Sequence, residues 1–175
     1  KDLLPLSPHQ EQIWLHQQQA PEQPFYNEPV TITLPEQVDV DALSVAIGHL
    51  VARHEALRSR FHLTSNGVTQ SFASAQSAAA DVEFIDLRHM PDSVARNEAI
   101  QLAKRQARKP FDLERDSPVR FQIIRMREAE YRLDIVAHHL VFDGVSMYRV
   151  ILPELQQTYR ALTSGGQPGD AEPAI

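Results

Sequence analysis

The sequence predicts an α/β fold, a two-layer α+β sandwich in which helices pack on a mixed sheet, and three observations carry that expectation. Runs with an apolar residue at every second position alternate along the chain with runs whose apolar residues recur every three to four. Tight-turn signals join some of the strand-like runs directly, at Asn66-Gly67 and near Glu128 to Glu130. With 175 residues, 42% of them hydrophobic, the chain is long enough to bury one substantial core.

In "LPLSPHQEQIWLHQQQ", Ser7 caps a helix, Pro8 suits its first turn and Gln10 holds the reciprocal capping-box position, which predicts a helix from about Pro8 to Gln18. "NEPVTITL" alternates Val30, Ile32 and Leu34 with threonines, as a half-buried strand does. "DVDALSVAIGHLVARHEALRSRF" sets Val40, Leu43, Ile47, Leu50, Val51 and Leu57 on one helical face and feeds straight into the next strand. A hairpin about Asn66-Gly67 follows, then a loose Ala/Ser-rich connection and the strand "DVEFIDL". Ser93 or Asp92 caps a helix running to about Ala107. Pro110 and Pro118 bracket a loop, and "VRFQIIRMREAEYRLDIVAHHLVFDG" gives two long strands. The last helix starts at about Asp143 and aligns Tyr148, Ile151, Leu152, Leu155, Tyr159 and Leu162. Pro153 is expected to kink it or break it in two. "TSGGQPGDAEPAI" has the composition of a linker.

The formal charge of −6, from 17 basic and 23 acidic side chains, is the wrong sign for a generic binder of phosphate backbones, so no nucleic-acid partner is expected. The absence of cysteine removes disulfides, thiolate metal sites and a cysteine nucleophile. No apolar run approaches the roughly 20 residues that span a bilayer, so no membrane partner is expected and a cytoplasmic location is.

The stretch "AHHLVFDGVS" asks for more than packing. Strand alternation sends His138 and His139 to opposite faces, so they are not equivalent and cannot share a metal, and no metal site is expected. Asp143-Gly144 then ends the strand in a sharp turn and opens a helix, bringing free backbone N–H donors to the strand's tip. Taken singly, Asp143 is an ordinary N-cap, Gly144 a turn residue, and each histidine a structural one.

Together, His138, His139, Asp143 and Gly144 reproduce the H-H-x-x-x-D-G signature of nonribosomal peptide synthetase condensation domains, members of the chloramphenicol-acetyltransferase-like acyltransferase superfamily. "RHEALRSRF", Arg53 to Phe61, resembles that family's second motif. "LSPHQEQIW" resembles its N-terminal motif through Ser7, Gln10 and Trp14, departing where His9 and Gln12 replace the usual small and basic residues. The resemblance runs to about Leu162 and implies a chloramphenicol-acetyltransferase-like lobe over residues 1–163. On that reading it is the first of two similar lobes, with 164–175 a linker toward a C-terminal lobe.

It also implies the chemistry. The amine of an acceptor aminoacyl thioester attacks the carbonyl of a donor acyl or peptidyl thioester. Both are carried on phosphopantetheine by partner peptidyl carrier proteins, and the chain itself binds no cofactor. His139 faces the tunnel, to hydrogen-bond the amine or accept its proton, and Gly144 offers an N–H to the oxyanion. His138 packs beneath the site. Asp143 is a buried structural carboxylate needing an arginine, with Arg58 the first choice and Arg53 the second; the plainer alternative is that these arginines simply end a helix. The isolated lobe is expected to be inactive. Rival readings are a coenzyme-A-dependent acyltransferase, an epimerisation domain and a non-catalytic interface module of the same fold.

Overall fold

The computed structural model describes residues 3–34, 37–65, 67–76 and 80–168. Asn66, on which the expected hairpin turn falls, lies outside them, as does the linker beyond residue 168. Among the described residues seven strands form: β1 (Leu4–Pro5), β2 (Asn27–Leu34), β3 (Ser59–Thr64), β4 (Gly67–Phe72), β5 (Val82–Asp86), β6 (Val119–Arg127) and β7 (Glu130–His138). A four-stranded sheet has the order β2-β7-β6-β5, antiparallel except for the parallel β5–β6 pair, and a smaller sheet has the order β1-β4-β3. The sheet is therefore mixed, as expected.

The helices follow the capping logic of the sequence. Helix α1 (Pro8–Gln19) carries the full capping box, with the Gln10 N–H donating to Ser7 Oγ and the Ser7 N–H to Gln10 Oε1. Helix α2 (Val40–Arg53) is capped by Asp39. It stops four residues before Leu57, which stays buried but on a 3₁₀ turn, Glu55–Arg58, rather than on the helix face expected for it. Helix α3 (Asp92–Arg108) has Pro91 at its N-cap and no side-chain cap, so neither Ser93 nor Asp92 plays that part.

The final helix neither breaks nor simply kinks at Pro153. It begins as α4 (Gly144–Ser146), passes through a π-helical stretch at Met147–Ile151 and continues as α5 (Leu152–Thr163). Proline lacks the N–H for the ladder and crowds the carbonyl one turn earlier; widening that turn removes the clash. Met147 takes the core position, whereas Tyr148, expected in the apolar stripe, is 65% exposed.

Two cores flank the large sheet and a third lies beside it. Val119, Phe121 and Ile123 of β6 and Leu133, Ile135 and Ala137 of β7 face α2 and the final helix. On the opposite face Ile124 and Met126 meet Ala95 and Ala99 of α3. A third cluster joins Ile13 and Trp14 of α1, Phe61 of β3, Leu113 and Leu140, beneath the turn that follows β7.

Candidate functional site

Side chains alternate along β7, so Ile135, Ala137 and then residue 139 share the face covered by α2, while Val136 and His138 share the face of α3. Past Ala137 the apolar face gives way to polar side chains, with Tyr26, Glu28 and His9 around residue 139. The His139 N–H still donates to the Tyr26 carbonyl at 2.8 Å, which carries the pairing with the β2 side one residue beyond His138 and holds the second imidazole on that face.

The two rings have opposite environments. His138 is 2% exposed, boxed by the Tyr26 ring at 6.1 Å and the edge of Phe111 at 5.9 Å, and its Nδ1 accepts the Leu140 N–H at 3.2 Å, which puts the proton of the neutral ring on Nε2. Burial, helped by the charges of His139 and Arg120, pushes its pKa down to about 4. Arg120 itself lies over Phe111 at 3.7 Å. His139 is about a third exposed: Tyr26 stacks on it with rings 6° from parallel, His9 of α1 meets it edge-on at 6.1 Å, and Glu28 Oε1 lies 3.4 Å from Nδ1.

The expected clamp between Asp143 and an arginine is absent, which corrects that reading. Asp143 is exposed and acts as the N-cap of α4, accepting the Ser146 N–H at 2.7 Å. That hydrogen bond, with a lesser pull from His139, holds its carboxyl below the usual carboxylate range. Arg58 is buried and donates to two backbone carbonyls, Val51 at the end of α2 (3.2 Å) and Ala73 beyond β4. Arg53 reaches Glu154 of the final helix at 3.5 Å, where His54 Nε2 also donates at 2.8 Å. Both arginines therefore serve the C-terminal end of α2, as the plainer alternative had it. A short carboxylate finds a local N–H at once, and Arg58 finds one carbonyl at the end of α2 and another just beyond β4, so neither needs the other.

Gly144 is the first residue of α4, exposed, with φ outside the left-handed region and nothing within 4 Å of the place a Cβ would occupy. Nothing in the chain's own packing demands glycine there. Among the described residues no group of three His, Asp or Glu side chains converges as a metal site would require, and no helix is long and apolar enough to cross a membrane.

The segments that resembled family motifs meet at this place. Gln10 Nε2 donates to the Leu140 carbonyl at 3.0 Å, tying α1 to the turn after β7, and Trp14 packs on Phe61 with ring centroids 5.9 Å apart. Sequence reasoning missed Tyr26, Glu28, Phe111 and Arg120. His9 stood out only as a departure from the family pattern.

The end of the mixed sheet thus carries one partly open imidazole, with its neighbour sealed in the layer below. Comparison with known proteins gives the chain a family: residues 1–173 match the condensation domain, and the chain belongs to it. It is 34% identical over 169 residues to a linear gramicidin synthase of Brevibacillus parabrevis, covering 97% of this chain and 2% of that protein. With chondramide synthase of Chondromyces crocatus it shares 32% over 174 residues, covering 99% of this chain and 4% of the relative. The first condensation domain of the calcium-dependent antibiotic synthetase superposes with a TM-score of 0.87 at 25% identity, covering all of this chain and 40% of that one. The starter condensation domain of rhizomide synthetase gives 0.86 at 21% identity, over 96% of this chain and 40% of that one. The chain thus spans a few per cent of these synthetases and about two fifths of the solved domains.

Proposed function

We propose that this chain is the N-terminal, donor-side lobe of a condensation domain that joins a carrier-tethered acyl or peptidyl thioester to a carrier-tethered aminoacyl thioester through an amide bond. The observation that carries the reading is the pair of unlike histidines: His139 opens on a polar face while His138 is sealed, within a chain that belongs to the condensation family.

The chemistry asks for little beyond positioning. A free α-amine titrates near pH 8, so a useful fraction is already nucleophilic at neutral pH. Holding amine and thioester together replaces the entropy of a bimolecular encounter. As the amine nitrogen bonds to the carbonyl carbon, His139 hydrogen-bonds it and takes its surplus proton. The tetrahedral oxyanion takes the N–H of Gly144. Collapse then breaks the C–S bond, and the proton leaves with the phosphopantetheine thiol on the donor carrier protein. His138, held near pKa 4, is too weak a base for the proton step and serves as the floor. On this reading the chain supplies one wall of the site, and turnover requires the second lobe.

The test compares His139→Ala with His138→Ala in the complete condensation domain, supplied with loaded carrier proteins. His139→Ala is expected to abolish amide formation in a folded protein, whereas His138→Ala should act mainly through stability. Full activity in folded His139→Ala overturns the assignment. Turnover with free acyl-coenzyme A in place of a loaded donor carrier would favour the coenzyme-A-dependent branch instead.

A further inference from the structure

One polar atom at the site is left over. His139 Nδ1 is buried and makes no hydrogen bond, although the side chain as a whole is about a third exposed, so the exposed part of the ring lies away from Nδ1, on the Nε2 side. The Glu28 carboxylate lies 3.4 Å from Nδ1 without hydrogen-bond geometry. Register explains the approach: Glu28 pairs with Ala137, which makes it the diagonal cross-strand neighbour of His139 on the same face, a distance long side chains span. Two rings flank the imidazole, Tyr26 parallel to it with centroids 6.4 Å apart and His9 edge-on at 6.1 Å, and the His139 backbone N–H is tied to the Tyr26 carbonyl.

Resting on the reading of His139 above, we infer that Glu28 is a positioning residue of the site: its carboxylate accepts Nδ1–H of His139, which fixes the tautomer and leaves Nε2 bare toward substrate. A neutral imidazole carries one proton, and whichever nitrogen meets an acceptor keeps it. Nδ1 is enclosed, so a proton on Nε2 would leave a buried nitrogen unpaired and would block the exposed one from accepting. Closure of the Glu28 contact to hydrogen-bond length resolves both at once. The other charged and titratable groups around the ring are badly placed to do this: His138 faces the opposite layer, His16 is engaged with the Tyr26 hydroxyl at 3.0 Å, and Asp143 is committed to the Ser146 N–H. Half-exposed on β2, Glu28 has no ion pair other than His139 among the described residues.

The test uses the complete condensation domain labelled with ¹⁵N-histidine. In the native domain the His139 ring nitrogens should report the Nδ1–H tautomer. Glu28→Gln, whose amide oxygen still accepts, should retain it, and Glu28→Leu should shift it toward Nε2–H. With loaded carriers, Glu28→Leu is expected to lower kcat about tenfold with KM little changed, the order of effect seen when a partner that orients a histidine is removed, and Glu28→Gln should lose much less. An unchanged His139 tautomer in folded Glu28→Leu overturns the inference even if His139→Ala is inactive. Activity in His139→Ala overturns the underlying assignment instead.

Discussion

Acidification should unfold this protein partly through one ring. His138 titrates at about 4 in the fold against 6.5 when free, so below pH 6.5 the unfolded chain binds a proton that the folded one refuses. The sign is fixed: the full stability is present above pH 6.5 and falls as pH drops toward 4, below which both states are protonated and the loss levels off. At 1.36 kcal/mol per unit, the two values give a loss of about 2 kcal/mol by pH 5 and about 3 kcal/mol by pH 4. Urea denaturation at pH 7, 6, 5 and 4 measures it, with His138→Asn as reference, since asparagine does not titrate and its side-chain oxygen can still accept the Leu140 N–H. Carboxylates common to both proteins cancel in the difference. The native chain should lose about 3 kcal/mol more than the variant between pH 7 and pH 4. Parallel curves would refute the reasoning, because they require His138 to be reachable by water or charged in the fold.

Other perturbations separate the observed contacts from the expected ones. Asp143→Ala should lower the melting temperature by about 3 °C, the size of a lost cap, and Asp143→Ala with Arg58→Ala should be additive in a double-mutant cycle; coupling above about 1 kcal/mol would restore the ion pair. Arg58→Ala alone should cost about 2 kcal/mol in urea melts through the carbonyls of Val51 and Ala73 that it leaves without a donor. Glu154→Leu should cost about 2 kcal/mol, because Arg53 and His54 lose the buried carboxylate that joins α2 to the final helix; a neutral result would make that cluster incidental. Trp14→Ala should cost about 3 kcal/mol and speed amide exchange at Leu140 to Phe142, which the small core supports.

What the sequence could reveal divides along physical lines. Periodicity and capping are local, so β2, α1, α2, the β3–β4 hairpin, β6 and β7 were legible, along with the alternation that separates His138 from His139. β1 was not, since two residues carry no period and that strand exists only because β4 offers it an edge. The π-helical stretch was half legible: Pro153 announced a disturbance, but whether it becomes a bend or a widened turn depends on what the core accepts, here Met147 in place of Tyr148. Pairings across long separations were least legible. Asp143 and Arg58 lie 85 positions apart, and each had a backbone partner close at hand that no residue pattern could rank against the other. Tyr26 and Glu28 were invisible for a related reason, because their place beside His139 follows from the β2–β7 register alone.

That register changes what the three motif-like segments are for. On the proposed function only the last of them supplies the reacting group, while His9 of the first meets that ring edge-on. The first contributes Gln10 and Trp14, one holding the Leu140 carbonyl and the other filling the small core with Phe61 from the second. The second spends Arg53, His54 and Arg58 on closing the end of α2 against the final helix and β4. Two of the three therefore build the support on which the turn after β7 rests. A reactive imidazole must be held to within a fraction of an ångström by neighbours that are themselves fixed. Residues far from the chemistry in sequence then become as specific as those in it, and substituting them should alter turnover through the geometry of residues 139–143 before it alters the four-stranded sheet.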